Sequence, residues 1–349
     1  MSTTDAPIVR LDMQSVDNSC ALESQALIAG PPEARPIPDD EQKSQLAASE
    51  MQLWWNEGCG STGYKHVAVL LVKWIDELDD LKCGEEVYRL RDVFRDSFHY
   101  EAEVVELNIA TNVDIQLSLH FTTFLKKHDG QDTLIVVYYS GHGSHEKKLE
   151  TLTLHPTNRI SDTNSQTEHN WQAKAVWEKA EVHLLENAKC DALSILDCCF
   201  AGDVHKGGIM DDDRTYQLLS AAGRQKPTNR PGPRSFTSAL IQSLMGLLEE
   251  RQGRPFTTLQ LQNRISQQEH RTRNPPFLWH RLKRDERMIF LSPLAKRSRK
   301  NSLDNVEPSR AFLTFRIALS EERLNEKQVK ELGKGITQAA ETSGAPYCR

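Results

Sequence analysis

The chain's apolar positions change period in a regular way. The run HVAVLLVKW (66–74) is almost uninterrupted and rich in β-branched residues, which predicts a strand covered on both faces. EEVYRLRDVFRDSF then reads as a helix, AEVVELN as a strand, DIQLSLHFTTFLKKHD as a helix and DTLIVVYYSGHG as a strand. After a polar loop, NWQAKAVWEKAEVHLLENA predicts a helix capped by Asn170, with Trp171, Ala175, Val182 and Leu185 on one face. The strand ALSILDCC follows, then strand TYQLLSAAG, helices SFTSALIQSLMGLLEE and FTTLQLQNRISQQ, and strand RMIFLSPL. Strands separated by helix-length segments imply right-handed crossovers and a mostly parallel sheet, an α/β fold.

Outside this alternation the pattern fades. Residues 1–62 are rich in Pro, Ser, Asp, Glu and Gln and read as a flexible polar leader, with one short helix within DDEQKSQLAASEMQLWWNE. Residues 63–295 form the expected folded domain and 296–310 a basic, solvated linker. AFLTFRIAL and NEKQVKELGKGITQAA add one strand and one helix in a C-terminal extension, 311–349. No internal repeat is visible.

Composition narrows the function classes. With 38% hydrophobic and 26% charged residues and a net charge of −6, the chain has the balance of a globular protein without a phosphate-binding surface, so nucleic acid is not an expected partner. The start, MSTTDAPIVRLDMQ, lacks a basic and apolar signal pattern, and no window approaches a membrane span. Membrane partners are therefore not expected, and the expected location is cytoplasmic, with the nucleus as an alternative. Seven cysteines without CxxC spacing fit free thiols in a reducing compartment.

Two strand ends carry candidate chemistry: YYSGHG delivers His142, and SILDCCFAG delivers Cys198 and Cys199. In open α/β sheets, functional groups gather at the carboxyl ends of strands. A free thiol near pKa ~8.5 is mostly protonated at neutral pH, so a nucleophilic cysteine needs an imidazole or helix N-terminus beside it. His142 is a suitable base, Gly141 and Gly143 admit a close backbone approach, and the N–H groups of Gly143 and Cys199 are candidate oxyanion donors. Taken singly, the cysteines read first as buried packing residues and His142 as a hydrogen-bonded loop histidine. Zinc held by Cys198, Cys199, His142 and His145 is disfavoured because adjacent strand residues point to opposite faces. A nucleotide-binding fold is disfavoured because no GxGxxG or GxxxxGK follows the first strand.

In combination and order, these motifs resemble the caspase-like clan of cysteine peptidases (family C14), and within it the metacaspase branch. Metacaspases carry SGHG after one strand and DSCHSG after the next; this chain has SGHG at 140–143 and DCCFAG at 197–202. Asp197 and Gly202 match, Cys198 takes the serine position and Cys199 that of the nucleophile. The resemblance covers roughly residues 64–294. It implies a three-layer αβα sandwich around a mostly parallel six-stranded sheet, and a cysteine endopeptidase with protein or peptide substrates and a His142/Cys199 dyad. Its chemistry requires no cofactor, although calcium activation is common in the family. Nothing in the sequence indicates an oligomeric state.

By the same resemblance, Asp197 helps form an acidic pocket for Arg or Lys at the cleavage position. The segment SAAGRQKPTNRPG departs from the family: Arg224, Gln225 and Lys226 stand where a second acidic residue is expected. A degenerate module acting in protein interaction or signalling is therefore the alternative. Asp211, Asp212 and Asp213 offer carboxylates suited to calcium, and the same segment, GDVHKGGIMDDDR, contains Lys206 and Arg214 as candidate points of maturation cleavage. His145 is a secondary candidate base. His155, His169 and His183 read as ordinary surface or helix histidines, and Trp54, Trp55 and Trp74 as packing residues.

Overall fold

A computed structural model describes residues 46–48, 50–55, 63–146, 149–157, 173–201, 214–223, 228–272, 274–282, 287–295 and 324–342. The central sheet begins with β1 (His66–Trp74), followed by α1 (Gly84–Asp92), which ends in a π-helical turn (Val93–Ser97). β2 (Glu101–Leu107), α2 (Val113–His128) and β3 (Thr133–Ser140) follow. A three-stranded antiparallel sheet then interrupts the alternation: β4 (His142–Glu146), β5 (Thr151–His155) and β6 (Ala175–Val176). The chain returns through α3 (Trp177–Val182) and a π-helical turn (His183–Asn187) to β7 (Asp191–Asp197) and β8 (Tyr216–Ser220). α4 (Phe236–Glu250), β9 (Phe256–Thr257), α5 (Thr258–Ser266), β10 (Phe277–His280), β11 (Phe290–Leu291) and α6 (Glu326–Thr342) complete it.

The six-stranded sheet has the order β10-β8-β7-β3-β1-β2, all parallel except β10 against β8. Strand alternation divides β1 between two cores. Ala68, Leu70, Val72 and Trp74 pack with Leu117 and Phe121 of α2 and Trp177 of α3. Val67, Val69 and Leu71 pack with Val87 and Leu90 of α1, Leu240 and Leu244 of α4 and Leu261 of α5. This is the three-layer αβα sandwich, and the continuous apolar runs in β1, β3 and β7 follow from burial on both faces. Each fully buried Leu or Val contributes about 1.5–3 kcal/mol. Local signals set the helix starts: Asn112 caps α2, Ser235 caps α4, and Thr257 with Gln260 forms a capping box on α5.

Four expectations are corrected. The strand predicted through residue 143 stops at Ser140, and His142 opens β4. The helix predicted over 170–188 is shortened, because Ala175 and Val176 pair with β5; Asn170 and Trp171 lie outside the described residues. The sixth strand of the main sheet is β10, entered from Pro275-Pro276, whereas the predicted strand 287–294 contributes only β11, paired with β9. Arg214 is not available for maturation cleavage: it is buried, and its guanidinium donates to the carbonyls of Leu184 and Leu185.

Residues 46–48 and 50–55 are helical, within the predicted leader helix, with Leu53 buried. α6 occupies the predicted C-terminal helix, and Asn325 and Gln328 exchange side-chain-to-backbone hydrogen bonds at its start. The predicted strand at 311–319, the linker at 296–310, and Lys206, Arg224, Gln225 and Lys226 lie outside the described residues. Among the described residues, no helix is long and apolar enough to cross a membrane.

Candidate active site

The central register brings the two motifs together. β3 and β7 are adjacent and parallel, with Ser140 paired to Asp197, so His142 and Cys199 each lie two residues beyond one register pair. Neighbouring strands are about 4.8 Å apart, which places both motifs at one carboxyl-terminal edge. Gly143 is wedged against the cysteine segment: a Cβ there would lie 2.5 Å from the Cys199 carbonyl oxygen and 2.9 Å from Cys198 Sγ. Any side chain at 143 forces the two segments apart. Gly141, at φ +156°, makes the turn between β3 and β4, and a Cβ there would strike the Tyr139 ring.

His142 is buried and held from several sides. Its Nε2 lies 2.6 Å from Asp80 Oδ1, and Asp80 Oδ2 accepts from the Thr157 hydroxyl at 2.8 Å. The Tyr139 hydroxyl, which accepts from Trp74 Nε1, donates to the His142 carbonyl at 2.9 Å. His155 stacks on the imidazole with centroids 5.5 Å apart and planes inclined by 4°. His155 is therefore no surface histidine: it is 4% exposed, its Nδ1 meets the Thr157 carbonyl, and burial pushes its pKa down. Among the remaining histidines, His145 lies three residues along β4, on the opposite face from His142. His183 sits on the π-helical turn after α3, and His169 lies outside the described residues.

The cysteine side is built differently. Cys198 is fully buried in the core beside Leu196, and burial holds its thiol protonated. Cys199 is half-buried; its Sγ accepts from the Thr228 N–H at 3.4 Å. Burial raises its pKa and the Thr228 bond opposes that rise.

Asp197 is 6% exposed and both its oxygens have hydroxyl partners, Thr237 at 2.5 Å and Thr228 at 3.4 Å. Burial, reinforced by the nearby Glu86 carboxylate, pushes its pKa up to about 6 against the pull of Thr237 and of Arg271. Arg271 is itself completely buried, lies over the Phe236 ring and donates Nη2 to the Ala221 carbonyl, while its Nε and Nη1 have no hydrogen-bond partner. Asp211, Asp212 and Asp213 lie outside the described residues.

Sequence reasoning missed Asp80, Tyr139, His155, Thr228 and Arg271. Asp80 sits in the acidic segment IDELDD, between the first strand and helix, and its partner is 62 residues away. YY before SGHG was the one local hint of Tyr139.

The Caspase domain model of the peptidase C14 family matches residues 79–285. Among solved structures, the chain is similar to the crystal structure of caspase-1 from Spodoptera frugiperda, at 11% identity and a TM-score of 0.41, over 68% of this chain and 94% of that one. No curated protein sequence matches.

Proposed function

The chain belongs to the caspase domain family of cysteine peptidases, and from that premise we propose that it is an endopeptidase working through His142 and Cys199. The observation that carries this reading is the Ser140–Asp197 register, with Gly143 packed on the Cys199 backbone, which supports a shared site for the two motifs. With Asp80 accepting the Nε2 proton, Nδ1 of His142 is the basic atom that takes the Cys199 proton. The thiolate attacks the peptide carbonyl, and the N–H groups of Gly143 and Cys199 stabilise the oxyanion. His142 then protonates the leaving amine, and water hydrolyses the acyl-enzyme.

Asp197 is the proposed selector of Arg or Lys at the cleavage position. Because its oxygens already accept from Thr228 and Thr237, substrate binding has to draw the Thr228 segment aside. Calcium, bound through Asp211, Asp212 and Asp213, is the proposed activator. The committed state of Asp197, with Arg271 close enough to influence it, favours a second reading: an interaction module that no longer cleaves efficiently.

Matched fluorogenic peptides ending in Arg, Lys or Asp, with and without calcium, separate these readings when wild type is compared with Cys199→Ala. Arg or Lys cleavage lost in the variant supports the peptidase and its pocket, and Asp cleavage overturns the role of Asp197. A folded protein silent throughout supports the interaction module.

A further inference from the structure

At the opposite edge of the sheet, three residues remote in sequence converge. His66 is the first residue of β1, Glu101 the first of β2, and His128 the last of α2. His66 Nε2 lies 2.9 Å from His128 Nδ1, the rings stack at 5.1 Å, and His128 Nδ1 is 3.7 Å from Glu101 Oε2. One donor atom from each residue falls within 4.8 Å of the other two.

We propose that His66, Glu101 and His128 form a binding site for a first-row divalent ion of the zinc class. A tetrahedral ion with arms of about 2.0–2.1 Å holds its donors about 3.3 Å apart. The spacings of 2.9 and 3.7 Å bracket that value and the third pair lies within 4.8 Å, so small side-chain rotations bring the three donors onto one ion. Two imidazoles and a carboxylate suit zinc better than calcium or magnesium, which take oxygen ligands. The place suits a cation as well: α2 ends here, and the partial negative charge of a helix C-terminus adds to the Glu101 carboxylate. Glu103, two residues along the same face of β2, forms an ion pair with Lys127 beside the site. A cavity of about 320 Å³, lined in part by Glu101, Glu103, Phe124 and His128, leaves room for a fourth, water ligand.

One N–H now bridges the two rings. For both facing nitrogens to coordinate, that proton moves to the far nitrogen of the donor ring, so N–H···N becomes N–metal–N without net proton uptake. Of the roughly six waters on the hydrated ion, one stays as the fourth ligand and the rest leave. The bound ion ties the starts of β1 and β2 to the end of α2 and stabilises the folded chain by mass action, away from Cys199.

The test uses the metal-free full chain carrying Cys199→Ala, which removes a competing thiol. Titration calorimetry with Zn2+ is expected to give one equivalent, and thermal melts a midpoint that rises to saturation at that equivalent. Co2+ is expected to show the visible bands of a tetrahedral N/O site without sulfur charge transfer. His66→Ala, Glu101→Gln and His128→Ala are each expected to weaken Zn2+ binding at least about tenfold. His66 is partly buried and Glu101 exposed, and these two carry the test if the His128 variant fails to fold. Absence of saturable binding, binding unchanged in His66→Ala and Glu101→Gln, or a thiolate spectrum overturns the proposal.

Discussion

The two halves of the candidate active site are organised to different degrees. His142 is buried, bonded to Asp80, stacked on His155 and held through its carbonyl by Tyr139. Cys199 is half-buried, with one long contact from Thr228, and the carboxylate beside it is turned inward to Thr237. On the proposed reading, the base is prepared before substrate arrives, whereas the nucleophile and its pocket are not. In a chain where both halves were equally set, burial would not hold the thiol above its ordinary pKa. Control of activity is therefore expected on the cysteine side.

The largest effects should come from removing either member of the pair. Cys199→Ala and His142→Ala should each lower kcat on the order of 10^3-fold or more, with the circular-dichroism spectrum retained. Gly143→Ala places a methyl against the Cys199 carbonyl and should cost about 100-fold in kcat/KM, since displacements of about 1 Å carry penalties of that size. Asp80→Asn tests the prepared half: kcat should fall roughly 10–100-fold with KM nearly constant. An unchanged kcat in that variant would erase the distinction between the halves.

Asp197→Asn tests the unprepared half. Against a substrate with Arg at the cleavage position, wild-type kcat/KM should rise as pH passes upward through about 6, where Asp197 ionises. The Asn variant should lose that limb and the preference for Arg over a neutral residue.

The smallest effect concerns stability. Burial raises Glu178 to about 7, while the unfolded carboxyl titrates near ~4.3. The native state thus holds a proton that the unfolded chain has lost, so this group favours folding increasingly as pH falls from above 7 towards about 4. Glu178→Gln should flatten that slope and stabilise the protein at pH 8 on the order of 1–2 kcal/mol in urea titrations, after allowance for its partial exposure.

The layers of the fold were legible because β1, β3 and β7 are buried on both faces and leave continuous apolar runs. That the segments bearing His142 and Cys199 meet at one edge of the sheet was legible because each follows such a run. The β4–β6 sheet was not, since HGSHE carries mixed polarity and Ala175-Val176 continues without a break into α3. β10 was hidden in four half-buried residues whose role depends on β8. Asp80, His155 and Arg271 become site residues only through contacts made across the fold, and an acidic loop, a strand-end histidine and a surface-like arginine carry no local mark of that. The burial of Asp197 was equally invisible, because Thr237 reaches it from a helix 40 residues further on.

The parallel pairing of β3 with β7 also bears on how the molecule is born. Parallel neighbours need a long crossover, and the closure of that loop must precede any reward from the contacts it brings. A nascent chain that has emitted β3 and the start of β4 carries His142 but not Cys199, and the Cys199 segment alone has no His142 beside it. If the pair acts as proposed, reactivity emerges late, once the centre of the sheet has zipped together, and during refolding it should lag behind the recovery of helical signal.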